Sequence, residues 1–323
     1  MAFLEVKDLE VEFQVDKKPV IPLKGISFEM NEGEILGIVG ETGSGKSLTA
    51  HAIMGLSAMS GGKNRGSVKF ADQSLLELSA TAMQSIRGSQ IAFIPQNPMT
   101  SLDPVYRVGD QIMEGLLNHT DLSKSKAKQQ VLDIMGKLNI PKPEHVFQQY
   151  PHELSGGLKQ RIVIAMGLCA KPRLLIADEP TTALDVTVQA QIVRLFKEIT
   201  VSSGIGLILI THDLGVIAQI CDKVAVMYAG NLVELASIES LFATPRHPYT
   251  QALLSCIPSI GMERGSLSAI DGNVPSATDC PDGCPFHPRC PHSYPTCEST
   301  MPKLIQIEGG AKVACHLYPE KQE

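Results

Sequence analysis

The sequence contains no apolar run of 18 residues, so the chain is not expected to cross a membrane by itself. Residues 1–18 lack the basic stretch and long apolar segment of a secretory signal, which points to the cytosol. Positive charge is not in excess: 28 Lys+Arg stand against 34 Asp+Glu, a net charge of −6 that argues against binding nucleic acid by bulk electrostatics. Tryptophan is absent and aromatics are 5 % of the chain, with no internal repeat and no low-complexity tract. Cysteine is sparse over most of the length. Cys169, Cys221 and Cys256 are scattered through the first 279 residues, whereas Cys280, Cys284, Cys290, Cys297 and Cys315 crowd into the last 44. At about 150 residues per domain, 323 residues allow one large or two modest domains with an ample core, so disulfides are not required for stability. In a reducing compartment the terminal cysteines read as metal ligands first.

From Phe3 to about Glu34, short apolar runs alternate with the turn signals Lys17-Lys18-Pro19 and Asn31-Glu32-Gly33, which predicts antiparallel strands. Ile35-Leu36-Gly37-Ile38-Val39 is a continuous apolar run, the pattern of a strand buried on both faces, and it ends in a glycine-rich turn opening a helix from Lys46 to about Met54. Segment 123–138 places Val131, Met135 and Leu138 at helical spacing on an otherwise Lys/Gln-rich stretch, an amphipathic helix. Leu174–Ala177 and Leu207–Ile210 are two more buried-strand runs, separated by a helix with Val188, Ile192, Leu195 and Ile199 on one face. Strands alternating with helices predict a mostly parallel sheet with its ligand at the carboxyl ends of the strands. Beyond about Pro258 the periodicity fades into Gly, Pro, Ser and Cys, marking an appendage ordered by something other than a large apolar core.

Gly40-Glu41-Thr42-Gly43-Ser44-Gly45-Lys46-Ser47 fits G-x-x-x-x-G-K-[ST]. Its glycines let backbone N–H groups turn inward around phosphates, and the following helix adds its positive end. Lys46 is then expected to reach the β/γ-phosphates and the Ser47 hydroxyl to bind Mg²⁺. The strand ending in Asp178-Glu179 supplies two carboxylates, Asp178 for the Mg²⁺ shell through water and Glu179 as general base for an attacking water.

Leu154-Ser155-Gly156-Gly157-Leu158-Lys159-Gln160 resembles the signature motif of ATP-binding cassette (ABC) ATPases, and other markers of that family follow the same order. Gln96 matches the Q-loop, Ala183-Leu184-Asp185 the D-loop and His212 the switch histidine; Phe13 lies where the family places an adenine-stacking aromatic. The resemblance implies a P-loop NTPase α/β fold with a RecA-like core, an antiparallel β subdomain, a helical subdomain over about 97–169 and a small Cys-rich C-terminal extension. In these terms residues 1–255 form the ATPase domain and 256–323 the extension. ATP contacts are implied for Phe13, Gly40, Thr42, Gly43, Ser44, Gly45, Lys46, Ser47, Leu48, Gln96, Ser155, Gly156, Gly157, Asp178 and Asp185. Glu179, His212, Lys46 and Gln96 are the implied catalytic set, and Ser47, Gln96 and Asp178 the Mg²⁺ set. Asp185 also fits an N-cap for the helix that follows it.

Ser155-Gly156-Gly157 precedes an apolar helix, giving the chain a second helix N-terminus suited to an anion. The family resolves this by pairing two ATPase subunits head-to-tail, so that Ser155 and Gly157 of one subunit close over the γ-phosphate held by the other. ATP joins such a dimer and hydrolysis releases it. Further implied partners are two transmembrane permease subunits and, indirectly, an extracytoplasmic peptide-binding protein, with the ATPase on the cytoplasmic face of the membrane and no nucleic acid. A heterodimer with a second ATPase chain is expected, a homodimer being the alternative.

Arg246-His247-Pro248-Tyr249-Thr250-Gln251-Ala252-Leu253-Leu254 and the segment Asn97–Pro104 resemble importers of di- and oligopeptides; importers of nickel or other small solutes share much of the pattern. Cys284, Cys290, Cys297 and Cys315 are separated by five, six and seventeen residues. Four thiolates suit zinc or an iron–sulfur cluster. None of these intervals is a tight zinc knuckle, although Cys280 and Cys284 have three residues between them. Dipeptide importers with this cysteine pattern imply a structural [4Fe-4S] cluster on the last four, Cys280 being spare; zinc or no metal are the alternatives. A non-transport ABC protein acting on DNA or ribosomes is disfavoured by the absence of coiled-coil insertions, tandem domains and basic arms. The pairing of Glu179 with His212 opposes a module that binds ATP without hydrolysing it.

Overall fold

The computed structural model describes residues 2–182, 184–257 and 270–318. Ala183 of the expected D-loop, and Pro258, beyond which the apolar periodicity fades, lie outside the described residues. Twelve strands occur among those residues: β1 (Leu4–Val15), β2 (Lys18–Met30), β3 (Ile35–Val39), β4 (Lys63–Phe70), β5 (Gln73–Ser74), β6 (Ile91–Ile94), β7 (Leu174–Asp178), β8 (Gly206–Ile210), β9 (Lys223–Tyr228), β10 (Asn231–Ser237), β11 (Ile305–Gln306) and β12 (Lys312–Val313). They fall into two compact units, one drawn from Met1–Met30, Leu36–Leu76 and Thr211–Glu323, the other from Asn31–Ile35 and Glu77–Ile210.

In the first unit, β2-β1-β4-β5 form an antiparallel sheet. Leu4 pairs with Met30 and Phe70, and Val6 with Phe28 and Val68; all six side chains are buried, so the alternation in the sequence becomes one apolar face. The same unit carries β11-β12-β10-β9-β3, in which β3 and β9 are parallel and the other pairs antiparallel. Every residue of β3 is buried, as its unbroken apolar run requires.

The β9–β10 hairpin is not among the elements expected from the sequence. Its turn places Ala229 at φ 45° and Gly230 at φ 80°, the pair of positive φ values that a two-residue hairpin demands. Gly230 N–H donates to the Ser44 carbonyl (3.0 Å), and the Gly230 carbonyl accepts from Lys24 N–H (2.8 Å). A Cβ on Gly230 would collide with the Pro22 carbonyl oxygen. Strand β12 pairs with β10 through Glu234 and Val313, which ties the C-terminal segment to this sheet. That segment therefore gains order from backbone pairing as well as from its side chains.

In the second unit β8, β7 and β6 are parallel neighbours, and β7 and β8 are buried throughout. The expected amphipathic helix spans Lys124–Lys137, capped by Ser123 and burying Ala127, Val131 and Met135. Helix Val186–Ser203 is capped by Asp185, buries Ile192, Val193, Leu195 and Phe196, and stops at Gly204 with φ 66°. Among the described residues no helix is long and apolar enough to cross a membrane.

Candidate functional site

In the first unit, β3 runs into Gly40, whose φ of 152° and proximity to the Met227 carbonyl leave no room for a Cβ. The chain then curls through exposed Thr42 and Gly43 to helix Lys46–Ile53. That helix begins at Gly45, in the left-handed region, and no side chain caps it. A helix start without a side-chain cap is the usual place for an external anion. The Lys46 ammonium is buried inside the loop and donates to the carbonyls of Gly40 (2.8 Å) and Glu41 (3.0 Å). Ser44 Oγ is buried with no hydrogen-bond partner. Ser47 and Leu48 are half-buried in the first helical turn. An uncapped helix start, an enclosed ammonium and an orphaned hydroxyl form a cradle suited to phosphate oxygens. Phe13 is half-buried on β1, and a Cβ on Gly62 would come within 3.0 Å of its ring. His212 is exposed immediately after β8, beside Asp213, which caps helix Leu214–Ile220.

In the second unit, β7 ends at Asp178, only 4 % exposed, and the chain turns sharply at Glu179, whose φ is 44°. Glu179 N–H donates to the Ile210 carbonyl (2.8 Å), fixing the turn. Its carboxylate Oε2 accepts from Gln96 Nε2 (2.9 Å) and from Thr182 Oγ1 (2.9 Å), so the Q-loop residue and the expected base are in direct contact. Ser155 caps helix Gly156–Leu168, accepting from Leu158 N–H at 3.4 Å. A Cβ on Gly157 would stand 2.9 Å from Val188 Cγ1, and Val188 N–H is capped by Asp185 at 3.0 Å. The signature turn and the Asp185 turn are therefore packed together, with Ser155, Gly156 and Asp185 exposed.

The cysteine-rich segment is packed within the first unit. Cys284, Cys290, Cys297 and Cys315 line one cavity, together with His247, Phe286 and His287, among others. All are free thiols. Cys284 N–H donates to the Cys297 carbonyl (2.8 Å). Burial pushes the Cys284 thiol up to about 11, and burial likewise raises Cys290 and Cys315, because a thiolate there lacks solvation. Cys280 is half-buried and does not line the cavity. Among the described residues no group of three or more His, Cys, Asp or Glu is arranged to hold a metal ion.

The link between this segment and the phosphate loop was not anticipated from the sequence. Arg289, its side chain 6 % exposed, forms a two-pronged ion pair with Glu41 (3.0 and 3.2 Å), and Tyr249 OH accepts from Glu41 N–H (2.9 Å). Tyr228, Tyr249 and Phe286 pack edge-to-face or tilted, with ring centroids 4.6–5.3 Å apart. Behind them Glu234, wholly buried, accepts from the N–H groups of Arg246 (2.9 Å) and His247 (2.8 Å). His247 Nδ1 in turn accepts from Tyr249 N–H, and burial holds this imidazole down at about 3. The one available signal was the run Phe286-His287-Pro288-Arg289 set between two cysteines.

Residues 23–182 match the family model of the ABC transporter, and residues 233–297 that of the oligopeptide/dipeptide transporter C-terminal region. The chain is 44 % identical to the oligopeptide transport ATP-binding protein AppD of Bacillus subtilis, over 98 % of this chain and 97 % of that protein. It is 46 % identical to the dipeptide transport ATP-binding protein DppD of Haemophilus influenzae, over 98 % and 96 %. Among solved structures, the fold is similar to the ADP- and Pi-bound dimer of the ATP-binding cassette MJ0796, with TM-score 0.66, 24 % identity and coverage of 73 % of this chain and 98 % of that one. It is also similar to cbiO1 of Clostridium perfringens, with TM-score 0.63, 28 % identity and coverage of 75 % and 91 %.

Proposed function

Because this chain belongs to the ABC family of oligopeptide and dipeptide transport ATP-binding proteins, we propose that it hydrolyses ATP to drive import of di- and oligopeptides. The observation that carries this reading is the end-to-end match to relatives named for that task, which includes the region after the ATPase motifs.

The chemistry follows from the residues. The N–H groups of Gly43, Gly45, Lys46 and Ser47 and the Lys46 ammonium receive the phosphates, with Gly40, Thr42, Ser44 and Leu48 shaping the loop and Phe13 against the adenine. The absence of a side-chain cap at this helix start and the orphaned Ser44 hydroxyl support this assignment. Ser47, Asp178 and Gln96 would hold Mg²⁺, which neutralises phosphate charge when bound. Glu179 takes the proton of the attacking water; donors on its Oε2 from Gln96 and Thr182 orient it for that role. His212 contacts the γ-phosphate. Ser155, Gly156 and Asp185, exposed at capped helix starts, and half-buried Gly157 meet the nucleotide of a partner subunit, a second ATPase chain in a heterodimer.

Residues 1–255 act as the ATPase domain, and 97–169 as the helical part that meets two permeases at the cytoplasmic face of the membrane. Exposed Met99, Val105 and Tyr106 support that docking. The peptide-binding protein acts outside the membrane. Residues 256–323 form an extension in which Cys284, Cys290, Cys297 and Cys315 would hold a [4Fe-4S] cluster. A soft donor set around one cavity supports a cluster. None of the intervals between these four cysteines is the tight knuckle usual in structural zinc sites, which favours the cluster over zinc. The cluster fastens a segment too short to build its own core.

Two measurements test the reading. Cells deprived of this chain are expected to lose dipeptide uptake; intact peptide uptake with lost nickel uptake would transfer the assignment to metal import. Anaerobically purified protein is expected to be brown, with iron and sulfide in equal amounts; a colourless preparation holding a single zinc sinks the cluster.

A further inference from the structure

Arg289 uses every N–H it has. Nε donates to the Asp271 carbonyl (2.8 Å), Nη1 to Glu41 Oε1 (3.0 Å) and Tyr228 OH (3.2 Å), and Nη2 to Glu41 Oε2 (3.2 Å) and the Ile270 carbonyl (3.1 Å). Five donors meet five acceptors, an arrangement that a lysine cannot reproduce. At the other end of the contact, Glu41 is held by three handles. Arg289 grips its carboxylate, Tyr249 OH accepts from its N–H, and its carbonyl accepts from Lys46 Nζ. Glu41 is the second residue of the phosphate loop, so the orientation of its peptide sets the course of the N–H groups that follow.

We propose that Arg289, seconded by Tyr249, is a positioning residue for the phosphate loop, so that the cysteine-rich lobe is a working part of the nucleotide site. The inference rests on the reading of Gly40–Ser47 as the ATP site. In this arrangement the lobe touches no reacting atom. It holds Glu41 still, and the cradle is shaped before the nucleotide arrives, which raises affinity by removing the cost of ordering the loop. Because Arg289 directly precedes Cys290, whatever orders the four cysteines also orders the guanidinium. The coupling is reciprocal: nucleotide in the loop stabilises the lobe in turn.

The test uses the full chain and a non-hydrolysable ATP analogue. Arg289→Lys and Glu41→Gln are each expected to weaken analogue binding, and to raise KM for ATP, by about tenfold with kcat within about twofold. Tyr249→Phe, which loses the acceptor for Glu41 N–H, is expected to have a smaller effect of the same kind. The double variant is expected to be no weaker than either single one, because the two side chains form one interaction. A purely structural role would instead reduce the active fraction, lowering kcat at unchanged KM. Parent-like analogue affinity in both single variants, or additive losses in the double variant, overturns the inference. Failure of the parent itself to bind the analogue overturns the ATP-site reading instead. Arg289→Ala adds the full deletion, but the decision rests on the lysine and glutamine variants, which keep size and polarity.

Discussion

Strands β3, β7 and β8 are buried at all five of their residues each, whereas residues 270–318 bury one large apolar side chain, Phe286, beside smaller ones such as Cys284, Cys297, Ala311, Val313 and Ala314. Each fully buried Val, Leu or Ile contributes about 1.5–3 kcal/mol, so apolar burial adds a large share to the order that ladder pairing gives these strands. The lobe has no such reserve. It relies on a few specific ties: the Arg289 fork, two residues of strand pairing onto β10, and four thiols around a cavity. The fully buried strands can therefore carry residues such as Glu179 in a strained turn, while the order of the lobe depends on those few ties and responds to its surroundings.

The largest effect is expected at the end of β7. Glu179→Gln is expected to cut kcat by about 10²–10⁴-fold with the melting temperature unchanged, and to trap an ATP-bound dimer visible by gel filtration. Hydrolysis at the parental rate would remove Glu179 as the base. Next in size is a cavity in the strand layer. Ile208→Ala, at a position 0 % exposed, is expected to destabilise the protein by about 2–5 kcal/mol in denaturant titration; a change under 1 kcal/mol would show that β8 repacks freely.

His247 lies where the two regimes meet, bound to Glu234 on β10 and lining the cysteine cavity. Its folded value near 3 lies below the ordinary 6.5. Between those values the unfolded chain binds a proton that the folded chain does not. The stability this provides is complete above pH 6.5 and lost as pH falls, by about 2 kcal/mol at pH 5. Burial raises the Glu234 carboxyl, and that contribution has the opposite sense, being lost as pH rises through the folded value. His247→Asn keeps Glu234 and a helix cap, so the parent-minus-variant difference isolates the histidine; identical pH profiles would contradict the assignment. The smallest shift is expected from Cys297→Ser. The main melting transition stays within about 1 kcal/mol of the parent, while proteolysis of the lobe accelerates. Joint collapse of lobe and strands would erase the distinction between them.

Strands β3, β7 and β8 and the phosphate loop were legible because a short unbroken apolar run has few structural solutions, and Ile35–Val39, leading into the glycine-rich turn from Gly40, is such a run, whereas β6 and β9 of the same parallel pairing were not expected. The signature and Asp185 turns were legible as helix starts, since Ser155 and Asp185 cap through their own side chains. The β9–β10 hairpin was missed because its buried positions include Asn231 and Glu234, which break the apolar pattern. The Arg289–Glu41 pair spans 248 residues, and a contact of that separation leaves no periodic trace in either segment. The cysteines disclosed a donor set but not its geometry, because thiol spacing along an irregular chain does not fix distances between sulfurs.

The β9–β10 turn carries a practical lesson for handling this protein. Surface hairpin turns are ordinarily the places where epitope tags, fluorophores or inserted domains are tolerated. This one is different, because Gly230 is bonded to Ser44 of the phosphate loop and to Lys24 of β2, with no room for even a methyl group. Any label placed there would report on the nucleotide loop by disturbing it, and tolerated insertion points must be sought elsewhere, as at exposed Lys17 in the β1–β2 turn.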